Sequence, residues 1–407
     1  MSTNSTTSAC FDCNTIKFGI FLRKSQSERR DLNPRPPPWQ GDALPLSYFR
    51  VVKNYFKERR TALNAGANIT PFFKPQNSFC FFLYFDYYFF LWSLEKKEIS
   101  LQKIKLEVDS ISPVHIKPSL KSVFNDFKQL TKVGLSISVV FTSVTGYLLG
   151  AERIDYTIVL LLSIGGYLMV GASNAFNQVI EKDIDSLMQR TKNRPLPSGR
   201  MQVTTALVIA TVFTIAGIGI LYAIDPKCAL FGAISIFLYT SAYTPLKAVT
   251  PLAVFVGAIP GAIPFMLGWV AATGEFGVEA GFLFLIQFFW QFPHFWAIGW
   301  LQFEEYNKAG LHMLPMDKKD KGAIVQIIFY TCIMILMSVA PVLKITGNFY
   351  IYPLTAVIVL LLGMLMLYYA FQLYKSEENT DARKLMLASV FYITIVPIIY
   401  VVDKFLH

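Results

Sequence analysis

Residues 156–200 read YTIVLLLSIGGYLMVGASNAFNQVIEKDIDSLMQRTKNRPLPSGR. The first 25 residues of this stretch, 156–180, form an apolar block of the length that crosses a bilayer as a helix. The remainder turns abruptly polar. From Asn174 to Arg200 the chain gathers three carboxylates and five cationic side chains beside the end of that block. Asn177, Glu181 and Asp185 recur at i, i+4 and i+8, which on a helix places them on one face. Arg190, Lys192 and Arg194 come directly after them. Acids able to hold a divalent metal beside bases able to hold phosphate point to a phosphate-bearing ligand at a membrane surface.

The rest of the 407-residue chain agrees with that placement. It is 54% hydrophobic and only 16% charged, too little charge for a soluble chain of this length. The apolar residues fall in long blocks, which gives an all-α, polytopic membrane helical bundle of about nine transmembrane helices. The expected spans are 133–151, 156–180, 203–224, 228–246, 250–272, 279–302, 322–343, 349–373 and 385–403.

Cations cluster before the first span (Lys117, Lys121, Lys128, Lys132) and after the second, sixth and eighth. The opposite loops carry only Arg153, Lys227 and Lys344. The asymmetry puts the N-terminus and the loop of residues 181–200 in the cytoplasm and the C-terminus outside. It also accounts for the net charge of +10 without nucleic acid, since no basic stripe is interleaved with stacking aromatics.

Residues 1–112 differ in character from the rest of the chain. SERRDLNPRPPPWQGD (27–42) favours extended or disordered chain, and the aromatic run 78–94, interrupted by Asp86, is too irregular for a confident span. Two readings stand: a spurious N-terminal extension with a non-ATG start near residue 110, or a genuine disordered or targeting leader. Peptides from residues 1–100 in the mass spectrum of the native protein would exclude the first. The domain proper is then 113–407. Cys10 and Cys13 make a lone C-x-x-C, short of the four ligands of a structural zinc site.

In the middle spans, Gly257 and Gly261 form a G-x-x-x-G expected to permit close helix approach. Pro260 and Pro264 would bend span 5 and free carbonyls, either as a packing device or at a substrate. A second polar cluster, FEEYNK (303–308), comes after span 6 on the same side as the first. The two could face each other across one cavity. Mg²⁺ suits such a site, because it binds through one or two carboxylates plus substrate phosphates. Arg190, Lys192, Arg194 and Lys247 would neutralise a departing diphosphate. The alternative is a set of ordinary juxtamembrane ion pairs.

N-x-x-x-E-x-x-x-D followed by MQRTKNRPLPSGR resembles the first motif of the UbiA-type intramembrane prenyltransferases. YTPLK (243–247), GAIPGAIP (257–264), WQFPHFWAIGW (290–300) and EEYNKAGLHMLP (304–315) resemble the haem O synthase branch of that family, in order, over about residues 113–407. The resemblance implies transfer of the farnesyl group of farnesyl diphosphate to a vinyl group of protohaem IX (haem b), with water addition. Asn177, Glu181 and Asp185 would be the first metal–diphosphate motif, catalytic together with Glu305. Glu304 and Glu305 stand where the family has an Asp-x-x-x-Asp pair; here Lys308 occupies the last position, which leaves a two-metal arrangement in doubt. The resemblance also implies the bilayer as solvent, a bacterial plasma membrane rather than a mitochondrial one, and haem A synthase or oxidase-assembly machinery as partners.

An allylic cation needs a dry cavity with π-faces, for which Tyr239, Tyr243, Phe288, Phe289, Trp290 and Phe295 are candidates. His294 inside span 6 and His312 after the second cluster are haem-binding candidates, because haem iron commonly takes a histidine. His294 could equally be bonded to a neighbouring helix. Two rivals remain: a UbiA-type enzyme for an aromatic or lipid acceptor, and a transporter of a phosphorylated or divalent species. The latter would favour midplane charges and broken helices.

Overall fold

A computed structural model describes residues 119–407; the expectations for residues 1–112, including the Cys10–Cys13 pair, and for Lys117 lie outside them. The described residues are helical throughout, with no strand among them. In chain order the helices are α1 Leu120–Leu130, α2 Val133–Gly150, α3 Tyr156–Ile180, α4 Lys182–Leu187, α5 Val203–Ile224 and α6 Pro226–Phe237. Then come α7 Ala253–Thr273, α8 Val278–Leu301, α9 Phe303–Lys308, α10 Lys321–Val339, α11 Pro353–Ser376 and α12 Asn379–Leu406. After Phe237, α6 runs on through a π-helical turn, Leu238–Tyr243, into the short helix Thr244–Leu246.

Long helices form at all nine expected positions, and eight are apolar enough to cross a membrane. The exception is α8, expected as the sixth span. It has 24 residues and a single acid near its start, but Gln287, Gln291, Pro293 and His294 dilute its apolar character. Gln291, His294 and the neighbouring Trp290 spend their polar groups inward. Gln291 Nε2 donates to Ala258 O of α7 (2.9 Å), and Trp290 Nε1 donates to Ser389 O of α12 (2.7 Å). A buried amide is tolerated where its hydrogen bonds are made, so α8 serves as an inner helix. The outer faces are greasy: Val208, Val212 and Ile215 on α5 and Leu354 and Leu361 on α11 are exposed, as lipid-facing surface should be.

Helices α2 and α7 approach backbone to backbone. A Cβ added at Gly268 would sit 1.9 Å from Ser143 O, and one at Gly146 2.1 Å from Phe265 O. Only glycine lets the two backbones meet there. Gly257 and Gly261, expected to serve that purpose, instead make room for side chains. A Cβ at Gly257 would meet the Tyr243 ring at 2.5 Å, and one at Gly261 would meet Gln291 Oε1 at 2.0 Å. The N–H that Pro264 lacks leaves Pro260 O free, and Ser235 of α6 donates to it (3.2 Å).

Candidate active site

The site begins where α3 ends. Glu181 closes that helix, its N–H bonded to Asn177 O (2.9 Å), and Asp185 N donates to Glu181 O (2.7 Å). The i, i+4 bonding therefore continues into α4 across the break at Glu181. That continuity holds the three side chains in one column, all of them at most 5% exposed.

Each member of the column reaches another part of the chain. Asn177 Nδ2 donates to Thr244 Oγ1 (3.2 Å), whose own hydroxyl proton goes to Tyr239 O (2.7 Å). Glu181 pairs with Lys247, which lies 4.7 Å from the Tyr243 ring centroid. Asp185 Oδ2 accepts from Arg194 (2.6 Å), while Thr191 Oγ1 donates to Asp185 O (2.8 Å) and fixes the return of the loop. The π-helical turn just before Lys247 brings the Tyr239 and Tyr243 rings to 5.1 Å.

The second cluster meets the first. Gln189 N donates to Glu305 Oε2 (2.8 Å), and His312 N donates to Lys247 O (2.7 Å). The loops after α3, α6 and α8 thus form one end of the bundle. Glu304 stays exposed, as do Arg190 and Lys192, outside the buried pairs. Of the expected diphosphate cations, the fold buries Lys247 and half-buries Arg194. Arg200 turns away to Asp126 of α1 (2.9 Å).

One cation was not expected. Lys132 joins α1 to α2 in the left-handed conformation (φ 47°). Burial first, then the charges of Arg194 and Lys247, pull its pKa down to about 7, against the attraction of Glu181 and Asp185. In the sequence nothing separates it from Lys128 one turn earlier. Burial, with the Glu181 carboxylate beside it, raises the Asp185 pKa despite Arg194. For Lys247 burial acts downward, but Glu181 outweighs it and the net direction is up. Asp185 is thus incompletely compensated, while Glu181 is held by its ion pair with Lys247 although its Oε1 makes no hydrogen bond.

The donor set fits a divalent cation. Asp185 Oδ1 is buried with no hydrogen-bond partner, and Asn177 Oδ1 receives no protein donor among the described residues. No three His, Cys, Asp or Glu side chains converge there among the described residues. Mg²⁺ completes its sphere from water and substrate phosphate, so two or three protein oxygens suffice.

The aromatic candidates split into two groups. Tyr239 and Tyr243 flank Lys247. Phe288 and Phe289 pack in a separate patch with Phe255, Phe292 and Tyr330. Trp290 and Phe295 flank His294. His312 Nδ1 bonds Asp317 Oδ2 (2.8 Å) on a loop, and His294 Nδ1 bonds Ser389 Oγ (2.8 Å) inside the bundle.

The protein is thus a multi-helical membrane bundle with a buried acid–amide column and converging cations at one end. Residues 139–395 match the UbiA prenyltransferase family, and the chain belongs to it. It is 60% identical over 300 residues to a protoheme IX farnesyltransferase of Flavobacterium psychrophilum, spanning 73% of this chain and all of that one. A protoheme IX farnesyltransferase of Christiangramia forsetii is 61% identical over 286 residues, covering 70% of this chain and 95% of that one. The fold is similar to a solved digeranylgeranylglyceryl phosphate synthase (TM-score 0.59, 20% identity, 70% of this chain and 99% of that one). It is also similar to a UbiA homologue of Archaeoglobus fulgidus bound to GPP and Mg²⁺ (TM-score 0.51, 16% identity, 68% and 99% covered).

Proposed function

We propose that the protein transfers the farnesyl group of farnesyl diphosphate to a vinyl group of haem b, adding water to give haem o and diphosphate. The observation that carries this reading is the meeting of the two polar clusters at Gln189–Glu305 over the buried Asn177–Glu181–Asp185 column. Relatives about 60% identical over nearly their whole length and named for this reaction supply the acceptor.

The chemistry can be derived from the residues. Farnesyl diphosphate loses its C–O bond, and the electron pair leaves with diphosphate. Arg194 and Lys247, half-buried and buried, neutralise the charge that accumulates on the leaving group. Asn177, Glu181 and Asp185, with Glu305, would hold Mg²⁺, which when bound supplies further electrostatic stabilisation of diphosphate. The π-faces of Tyr239 and Tyr243 stabilise the allylic cation beside them. The vinyl carbon attacks that cation, and water adds to the resulting carbocation and releases a proton, leaving the hydroxyl of haem o.

The site faces the cytoplasm of a bacterial plasma membrane, on the strength of the loop cations and of relatives from bacteria. Its product would pass to haem-modifying or oxidase-assembly proteins. Incubating membranes that contain the protein with haem b, farnesyl diphosphate and Mg²⁺ tests the reading. Chromatography should reveal a more hydrophobic haem that requires both substrates. Prenylation of hydroxybenzoate or a naphthoate in its place would refute the acceptor.

A further inference from the structure

The geometry points to His294 Nε2 as the axial ligand of the haem iron, with Ser389 as the residue that holds the imidazole in the tautomer able to bind it. This inference rests on the haem-farnesylating reading above and adds where, and in what protonation form, the acceptor is gripped.

The argument is one of donor counting. Ser389 Oγ lies 2.6 Å from Met386 O and 2.8 Å from His294 Nδ1. A carbonyl only accepts and a hydroxyl has a single proton, so that proton goes to Met386 O. Ser389 Oγ is then the acceptor toward His294, and Nδ1 must carry the hydrogen. In the neutral ring the lone pair is left on Nε2, to which no protein group bonds among the described residues. His294 is only half-buried, so that atom is not sealed inside the packing.

The ring is also fixed in direction. Trp290, one helical turn earlier, stacks on it with centroids 4.7 Å apart and planes 17° from parallel. The same tryptophan donates from Nε1 to Ser389 O (2.7 Å). Two hydrogen bonds therefore lock α8 to α12 at this one point, and the stack within α8 holds the ring in place. A metal-binding histidine usually has its other nitrogen committed in this way, because the commitment fixes tautomer and orientation.

The depth is suitable. His294 lies seven residues before the end of α8 at Leu301, about 10 Å along the axis at roughly 1.5 Å per residue. A tetrapyrrole held there would sit about that far along α8 from the end of the bundle that carries Glu305. His312 also has Nδ1 committed, to Asp317, but its side chain is about a third exposed on a loop, where water competes for an open iron position.

The test uses the full-length protein in detergent with added haem b. Resonance Raman of the ferrous form should show an iron–histidine stretch in the wild type. That band should vanish in His294→Gly and return when imidazole is supplied. Ser389→Ala should shift the band to lower frequency and weaken haem binding roughly tenfold, whereas Ser389→Thr, which keeps a hydroxyl, should restore both. An unchanged band in His294→Gly, or its loss only in His312→Ala, overturns the assignment. If His294→Gly does not fold, an unchanged band in Ser389→Ala overturns it alone. Wild-type protein that makes haem o yet shows no iron–histidine band refutes the ligand and leaves the reaction intact. Wild-type protein that makes no haem o refutes the reaction itself.

Discussion

The two ends of the bundle use charge in opposite ways. At the end where α3 begins, the charged groups that touch the protein are spent on backbone. Asp155 caps α3 through Thr157 N (2.7 Å) and Asp225 caps α6 through Lys227 N (2.7 Å). Glu279 accepts from Asn348 N (2.9 Å), and Asp403 accepts from Tyr352 N (3.1 Å) at the start of α11. Lys404 donates to Leu148 O, Leu149 O and Ala151 O at the end of α2. These residues satisfy backbone groups at helix ends, and through Lys404 the last helix closes on the first span.

At the opposite end, acids face cations and capacity remains. Asp185 keeps an unbonded oxygen, Lys132 sits among two other cations, and Glu304, Arg190 and Lys192 point outward. Charge used on caps stabilises a fold. Charge that is buried and incompletely matched holds a place for a ligand of the right valence.

The contrast can be broken most directly at Asp185. Asp185→Ala should lower haem o formation by about a thousandfold or more, with membrane insertion unaffected; retained turnover would remove the column from the chemistry. Glu305 gives a sharper case, since its carboxylate also accepts from Gln189 N. Glu305→Gln keeps an acceptor for that bond but loses the charge. A fall of about a hundredfold in activity, close to that of Glu305→Ala, marks a metal or phosphate role. Near-normal activity would mark a loop clamp.

At the other end, Lys404→Met should cost about 1–3 kcal/mol through unsatisfied carbonyls, seen as a lower unfolding temperature in detergent. Activity of the folded fraction should be unchanged. The smallest effect concerns protons. Because the Lys132 pKa is pulled to about 7, its ammonium is largely discharged in the free protein above that pH. Between about 7 and its ordinary value the unfolded chain binds the extra proton, so this group makes stability rise with pH in that window. A diphosphate beside it would restore the charge. Calorimetry of farnesyl diphosphate binding near pH 8, in buffers of different ionisation heat, should therefore report proton uptake, and Lys132→Met should reduce it.

Much of the fold and part of the site are legible in the residues alone. The nine long helices lie where apolar blocks predict them, because bilayer thickness imposes a length that composition alone reveals. Asn177, Glu181 and Asp185 are legible because their partnership is local, one helical turn apart. The polar character of α8 can be read, but not its inner position. Arg190, Lys192 and Arg194 are equivalent in the sequence, and only the turn fixed by Thr191 sends Arg194 back to Asp185. Lys132, Thr244 and Ser389 carry no signal, since each acquires its role from a residue far away in the chain. The G-x-x-x-G of α7 is visible and its use is not.

The sequence by itself determined the number and approximate length of the long helices, the end of the bundle that carries the Asn177–Glu181–Asp185 column, and the family. These depend on period, composition and short-range spacing, which are properties of a linear chain. The tertiary structure decided which cations enter the acid column, which carboxylate of the second cluster touches the first, and which nitrogen of His294 is free. Those depend on hydrogen-bond partners brought together from distant helices, and a donor's single proton can be assigned only when both of its neighbours are in place.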